Sequence, residues 1–243
     1  MGMDLKEEEI LGAAIVDHWY YRSKGAALRS LLKGMPARRL VDVGAGSGIF
    51  SKQLLEHGLA AEAYCIDPYY SEERDETHAG RPLSFRRVLE PSGRADLVLM
   101  MDVLEHVDDD LALLTQYSND LASGARVAIT VPAFTFLWSG HDVFLEHRRR
   151  YSLAELEDLV RRAGLEIERG RYFFGLIFPL VAVLRLLESR RVKRGDLQPA
   201  SSLRKAPEPL NSLLVAAHAL ERILLFPINR MAGLTAFCLA RKP

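Results

Sequence analysis

"LVDVGAGSGIF", residues 40–50, decides the fold. An apolar run containing Leu40, Val41 and Val43 meets three glycines two residues apart, Gly44, Gly46 and Gly48. The chain then takes up a helical pattern with Ile49, Phe50, Leu54 and Leu55 on one face, ending at the C-cap residue Gly58. A strand that turns tightly into a helix, with glycines where backbone can approach a ligand, opens a βαβ unit. Outward from it, apolar runs alternate with helical segments and predict strands near 39–44, 61–67, 83–88, 95–101, 125–131 and 165–173. The segment "DDDLALLTQYSNDLASG" starts on three aspartates at the positive end of a helix and stops at Gly124. "SLAELEDLVRRAG" opens on a Ser152/Glu155 capping box. The expected architecture is α/β, Rossmann-like, doubly wound and mostly parallel.

The glycine spacing excludes two ligand classes. A dinucleotide fingerprint needs a third glycine where Ile49 stands, and no Gly-Lys-Ser or Gly-Lys-Thr follows for a P-loop. There remains Asp67, 19 positions after Gly48 at the end of the next predicted strand, where a carboxylate can accept both ribose hydroxyls of an adenosine. Read only as a ligand contact, its removal should spare the stability of the folded chain.

The 243 residues carry 32 Lys plus Arg against 32 Asp plus Glu, so no global field recruits nucleic acid. Cys65 and Cys238 stand far apart and form neither a disulfide framework nor a metal-ligand spacing; no metal is expected, and a reducing cytoplasm fits. "MGMDLKEEEILGAA" lacks the basic start and apolar run of a secretory signal, and Lys6 stands where myristoylation wants Ser or Thr. The longest uncharged apolar stretch, "YFFGLIFPLVAVL" at 172–184, has 13 residues against the roughly 18 to 20 of a membrane span.

"VDVGAGSG", "AYCIDP" and "ADLVLMMDVLEHV" (95–107), in this order and spacing, resemble the class I S-adenosylmethionine-dependent methyltransferases, with similarity to bacterial members acting on small or lipid-borne acceptors. The resemblance covers residues 40–172. It implies a seven-stranded sheet whose last strand, "GLTAFCLARKP" (233–243), runs antiparallel between the fifth and sixth. It implies S-adenosylmethionine as cofactor, held by Asp42, Gly44, Gly46, Gly48, Asp67, Val88, Met101 and Asp102. The adenine end departs from the family: "SFRRVLEPSG" places Arg87, Val88 and Leu89 where many members carry an acid, and Glu90 comes late. The chain reads as one domain, 1–243, with an N-terminal helical cap (1–36), a core (37–172 and 231–243) and a helical insertion (173–230).

Methyl transfer from a sulfonium is an in-line displacement that needs alignment and exclusion of water; a base matters only when the acceptor must lose a proton. After the fourth predicted strand come Glu105 and His106, the latter read as a backbone-bonding or proton-transferring residue. After the fifth comes "PAFTFLWSGHDVFLEHRRRYS" (132–152), long and polar-aromatic enough to be functional. His141 and His147 are the candidate general bases. Trp138, Arg149 and Tyr151 are candidate substrate contacts, and the run Arg148 to Arg150 reads either as an anion binder or as a solvated face. "DHWYYRSKGAALRSLL" (17–32) is similar to the His-Trp-Trp-Phe-Arg start of a bacterial subgroup; Trp19, Tyr20 and Tyr21 are expected as a site wall or as core, and Arg22 as a partner of the methionine carboxylate.

Between Arg185 and Pro209 seven basic residues face three acidic ones, flanked by apolar segments. This suits a lid over the acceptor, peripheral contact with the inner face of the membrane, or a homodimer interface. The expected function is O-methylation of a small or lipid-linked metabolite; the alternatives are a carbon or nitrogen acceptor, or a non-catalytic cofactor-binding scaffold.

Overall fold

The computed structural model describes residues 12–88, 95–192 and 206–243. Helix α1 (Trp19–Leu31) leads into β1 (Ala37–Val43), α2 (Ile49–Glu56) and β2 (Ala60–Ile66). The hairpin β3 (Arg74–His78) and β4 (Arg81–Arg86) follows, then β5 (Leu97–Met101), α3 (Asp110–Asn119) and β6 (Arg126–Pro132). The chain continues through α4 (Gly140–Phe144), α5 (Leu153–Arg162), β7 (Glu166–Phe173), α6 (Phe178–Val192), α7 (Glu208–Leu224) and β8 (Thr235–Arg241).

The sheet order is β3-β4-β2-β1-β5-β6-β8-β7. The five inner strands from β4 to β6 are parallel, while β8 runs antiparallel to both β6 and β7, the place the resemblance implies. Strand order reverses between β1 and β5, which is where open α/β sheets take ligands. Register makes this concrete: Val43 pairs with Ile66 of β2 and with Met100 of β5, so Gly44, Asp67 and Asp102 emerge at one edge. β5 is buried along its whole length, as expected for a strand covered on both faces. Alternate β1 residues serve opposite layers: Leu40 packs with Phe50, Leu54 and α1, and Val41 with Val98, Leu156 and Val160.

Among the described residues the sheet has eight strands where seven were expected. β3, "RDETH", is polar and lies at the sheet edge, so no apolar alternation marks it. It is held by a two-residue turn at Ala79 and Gly80, both at positive φ (49° and 74°), which matches the twist of a hairpin. The Ser152/Glu155 capping box forms, with the Glu155 N–H donating to Ser152 Oγ at 3.2 Å and the Ser152 N–H to Glu155 Oε2 at 2.6 Å.

The helices after β7 are turned inside out. α7 buries Asn211, His218 and Glu221 and exposes Leu213, Leu220, Ile223 and Leu224. The buried polar groups are tethers: Asn211 Oδ1 accepts from the Trp19 N–H (2.8 Å), its Nδ2 donates to the Asp17 carbonyl (3.0 Å), and Glu221 accepts from the Gly175 N–H (2.6 Å) and His218 Nδ1 (2.8 Å). α7 therefore pins the start of α1 while presenting apolar residues outward. Among the described residues no helix is long and apolar enough to cross a membrane. Leu89 and Glu90, and the basic residues Lys193, Arg194, Arg204 and Lys205, lie outside the described residues.

Candidate active site

All three glycines after β1 have positive φ: 65° at Gly44, 50° at Gly46 and 69° at Gly48. A Cβ at Gly44 would lie 2.8 Å from Val103 Cγ2, and one at Gly48 would lie 3.0 Å from Cys65 Sγ, so packing as well as conformation demands glycine. The loop is held from β2. Asp67 Oδ2 accepts from the Gly46 N–H (3.2 Å), Asp67 Oδ1 from the Tyr69 N–H (3.0 Å), and the Tyr70 hydroxyl donates to the Gly46 carbonyl (2.7 Å). Beneath it, buried Asp42 accepts from Ser51 Oγ at 2.7 Å, which ties β1 to α2.

At the end of β5, Asp102 adopts φ 57°, an uncommon conformation for a residue with a side chain. It is held by Thr130, whose carbonyl accepts from the Asp102 N–H (3.0 Å) and whose Oγ1 donates to Asp102 Oδ1 (3.0 Å). Its other oxygen forms a buried ion pair with Lys24 and takes the Tyr20 hydroxyl at 3.4 Å. Lys24 is wholly buried, reaching from α1 across the Tyr20 ring. In the sequence it reads as an ordinary helix charge, and only the fold reveals it.

The segment after β6 folds back over the same edge. Asp142, fully buried in α4, accepts from the Ser139 N–H (2.8 Å) and Ser139 Oγ (3.0 Å). It also takes Nδ1 of His147 (2.8 Å) and both arms of the Arg150 guanidinium (2.7 and 3.0 Å). Burial alone would raise its carboxyl, but the hydrogen bonds from His147 and Arg150 outweigh it and hold it well below the usual carboxylate range. His141 is pushed down to about 4 by burial, with His147 adding to the effect, and is neutral near pH 7. Glu105 is fully buried and, among the described residues, neither of its carboxylate oxygens has a hydrogen-bond partner. Burial, then the adjacent Asp102, push its carboxyl well above the usual range.

These groups enclose a cleft of about 250 Å³, with Tyr20, Asp102, Glu105, His141, His147 and Arg150 on its polar side. Trp19, Ile177, Val181 and Arg185 also line it, so the segment after β7 contributes to its wall. A hollow of about 500 Å³ lies against Ala37, Asp96 and Arg126 at the amino ends of the strands, the wrong edge for a ligand of this fold.

Several sequence-stretch expectations are redistributed. Tyr20 faces the cleft, whereas Tyr21 is core, packed beside Phe50. Arg22 opens onto a separate hollow with Arg29 and His57, and Lys24 takes the inward place beside Asp102. The three arginines serve the protein itself: Arg148 bonds the His106 carbonyl and Asp108, Arg149 bonds Asp110 and the carbonyls of Val107 and Asp108, and Arg150 clamps Asp142. Tyr151 is buried and donates to Asp110 at 2.7 Å. Trp138 is half-buried and not among the residues lining the cleft, and Val88 is 73% exposed where β4 ends. Asp102 is buried and lines the cleft, whereas Met101, equally buried, and the glycine loop with Asp67 are not among its lining residues.

Residues 16–169 match a methyltransferase domain family. No curated protein matches the chain in sequence. Among solved structures, the chain is similar to an S-adenosylmethionine-dependent methyltransferase from Archaeoglobus fulgidus, with 16% identity, 98% of each chain covered and a TM-score of 0.53. A Haemonchus contortus phosphoethanolamine N-methyltransferase 2, solved with phosphomonomethylethanolamine and S-adenosylhomocysteine, aligns at 15% identity over 97% of this chain and 56% of that one, with a TM-score of 0.55. A chain from the complex between the Haloferax volcanii Trm112 methyltransferase activator and a methyltransferase aligns at 16% identity over 91% of both, TM-score 0.55. At such identities the likeness is one of fold.

Proposed function

The chain belongs to the methyltransferase domain family, and from that premise we propose that it uses S-adenosylmethionine to methylate a hydroxyl of a small or lipid-linked metabolite. When bound, the cofactor supplies the methyl group on its sulfonium. The residues fit it: three glycines bring backbone close, and each Asp67 oxygen, having accepted one N–H, keeps capacity for a ribose hydroxyl. Asp42 organises the loop from below, Asp102 lines the cleft with Met101 buried next to it in sequence, and Val88, exposed after β4, is the residue we assign to the adenine.

The observation that carries the reading is the common edge of β1, β2 and β5, which brings out the glycine loop, Asp67 and Asp102 together, with Asp102 also lining the cleft. Its roughly 250 Å³ is small beside pockets for drug-sized ligands, about 300–1,000 Å³, and suits an acceptor head group. Tyr20, His141 and His147 contact that head group. Of the two histidines, His141 is a weak base near neutral pH, since its conjugate acid titrates near 4.

The outward apolar residues of α6 and α7 favour a lipid-linked acceptor. Leu180, Val183, Leu184 and Leu187 on α6, and Leu213, Leu220, Ile223 and Leu224 on α7, are exposed beside the cleft wall formed by Ile177 and Val181. With the basic residues of 185–205 they suit the anionic inner face of a membrane. Release of S-adenosylhomocysteine across a panel of water-soluble and polyprenyl-linked alcohols tests the reaction. A labelled methyl carbon at an O-methyl chemical shift supports the hydroxyl assignment, and an N- or C-methyl product overturns it. Cofactor binding without release on any acceptor favours a scaffold. Flotation with anionic vesicles tests the surface; a dimer in solution that ignores vesicles assigns it to self-association.

A further inference from the structure

At the cleft, ligand atoms are drawn together in a way that the head-group contact proposed for His147 does not by itself explain. One ligand atom each from Glu105, His106 and His147 lie within 4.8 Å of one another. We infer that these three side chains form a site for a divalent first-row transition cation that takes an acceptor oxygen as a further ligand. The inference rests on the methyltransferase reading for its role, though not for its geometry.

Four features make this a built site. Glu105 is fully buried with both carboxylate oxygens unpartnered, a costly arrangement that a cation relieves. His147 Nδ1 lies 2.8 Å from the Asp142 carboxylate, an acceptor, so Nε2 is the ring atom open to a cation; that buried atom has no hydrogen-bond partner among the described residues. A carboxylate behind an imidazole is the outer-shell arrangement that orients metal-binding histidines, and the Arg150 fork keeps Asp142 in place. Arg148 joins the two ligand-bearing segments, its N–H donating to the Glu105 carbonyl (2.7 Å) and its Nε to the His106 carbonyl (2.9 Å). The ligand positions are therefore fixed by backbone.

Two imidazoles and one carboxylate select manganese, iron, cobalt or zinc over magnesium or calcium. Bonds of about 2.1 Å bring neighbouring ligand atoms roughly 3.0–3.4 Å apart, so binding draws the side chains in by on the order of 1 Å. A cation here favours loss of the acceptor hydroxyl proton to water without a histidine taking it. The inference departs from the sequence expectation of no metal, which considered cysteine spacing alone.

The test titrates Co²⁺ into the full chain and follows heat and visible absorption, with S-adenosylhomocysteine binding measured separately. One Co²⁺ per chain is expected, with affinity lowered about 10-fold or more in Glu105→Gln, in His147→Gln and in Asp142→Asn. Should Glu105→Gln fail to fold, His147→Gln interrogates the site from the other segment. Absence of Co²⁺ uptake by protein that binds S-adenosylhomocysteine overturns the site and leaves the methyltransferase reading intact; uptake without S-adenosylhomocysteine binding does the reverse. Uptake unchanged in both variants also overturns it.

Discussion

Lys24 and Asp102 lend themselves to a double-mutant cycle. Lys24 is wholly buried, and its ammonium meets Asp102 with, among the described residues, the Tyr20 hydroxyl (3.1 Å) as a further hydrogen-bond partner. The rings of Tyr20 and Phe50 lie 5.2 and 6.0 Å away. Lys24→Met keeps the stem and removes the charge, leaving the Asp102 carboxylate with the neutral hydroxyls of Thr130 and Tyr20. Breaking a buried pair from one side costs about 3–5 kcal/mol, because the surviving charge is uncompensated. With a urea m-value of about 2.5 kcal/mol/M, a loss of about 3 kcal/mol lowers the midpoint by about 1.2 M. Asp102→Asn should cost a similar amount by stranding the ammonium. The double variant strands neither charge and should lose no more than about 1 kcal/mol, so the coupling is several kcal/mol. Urea unfolding followed by circular dichroism measures all four proteins; single losses that add within about 0.5 kcal/mol would refute a direct buried pair.

Gly44→Ala places a Cβ 2.8 Å from Val103 Cγ2 at φ 65°, and should destabilise by about 2–3 kcal/mol; pairing it with Val103→Ala should restore the overlap component and leave about 1 kcal/mol of conformational strain, read by thermal unfolding. Asp67→Ala should weaken S-adenosylhomocysteine binding at least 10-fold by calorimetry. It should also cost the apo protein about 1–3 kcal/mol, because the Gly46 and Tyr69 N–H groups lose their acceptor; this corrects the expectation of unchanged stability. Burial pushes the Cys238 thiol up to about 12 and raises Cys65 further, so neither should react with a thiol reagent at pH 8 until the chain unfolds. The unfolded thiols ionise near 8.5 while the native ones stay protonated, so their contribution makes stability fall as pH rises from about 8.5 toward 12, measurable as a falling urea midpoint.

The sheet centre was legible because its strands are apolar on both faces and its helices carry explicit stops. Gly58, Gly124 and Gly164 all take positive φ, and the Ser152 box closes as read. β3 escaped because its five residues are polar; the available signal was the Ala79-Gly80 turn before β4. The glycine loop and Asp67 could be placed from one strand-turn-helix unit, since their geometry is local. Lys24 could not, because its partner lies 78 residues away. The roles within 132–152 were hidden for the same reason: three consecutive arginines look solvated in a string, yet in the fold they bind carbonyls and carboxylates of the β5 segment and α4. Asp142 stood beside His141 in sequence, but it is His147, brought round by the turn after α4, that it orients.

Calorimetric titration of the wild-type chain with S-adenosylhomocysteine tests the account most directly. It predicts one site per chain with a dissociation constant below about 1 mM, lost or sharply weakened in Asp67→Ala. No heat of binding up to millimolar ligand, from protein shown to be folded, would contradict it.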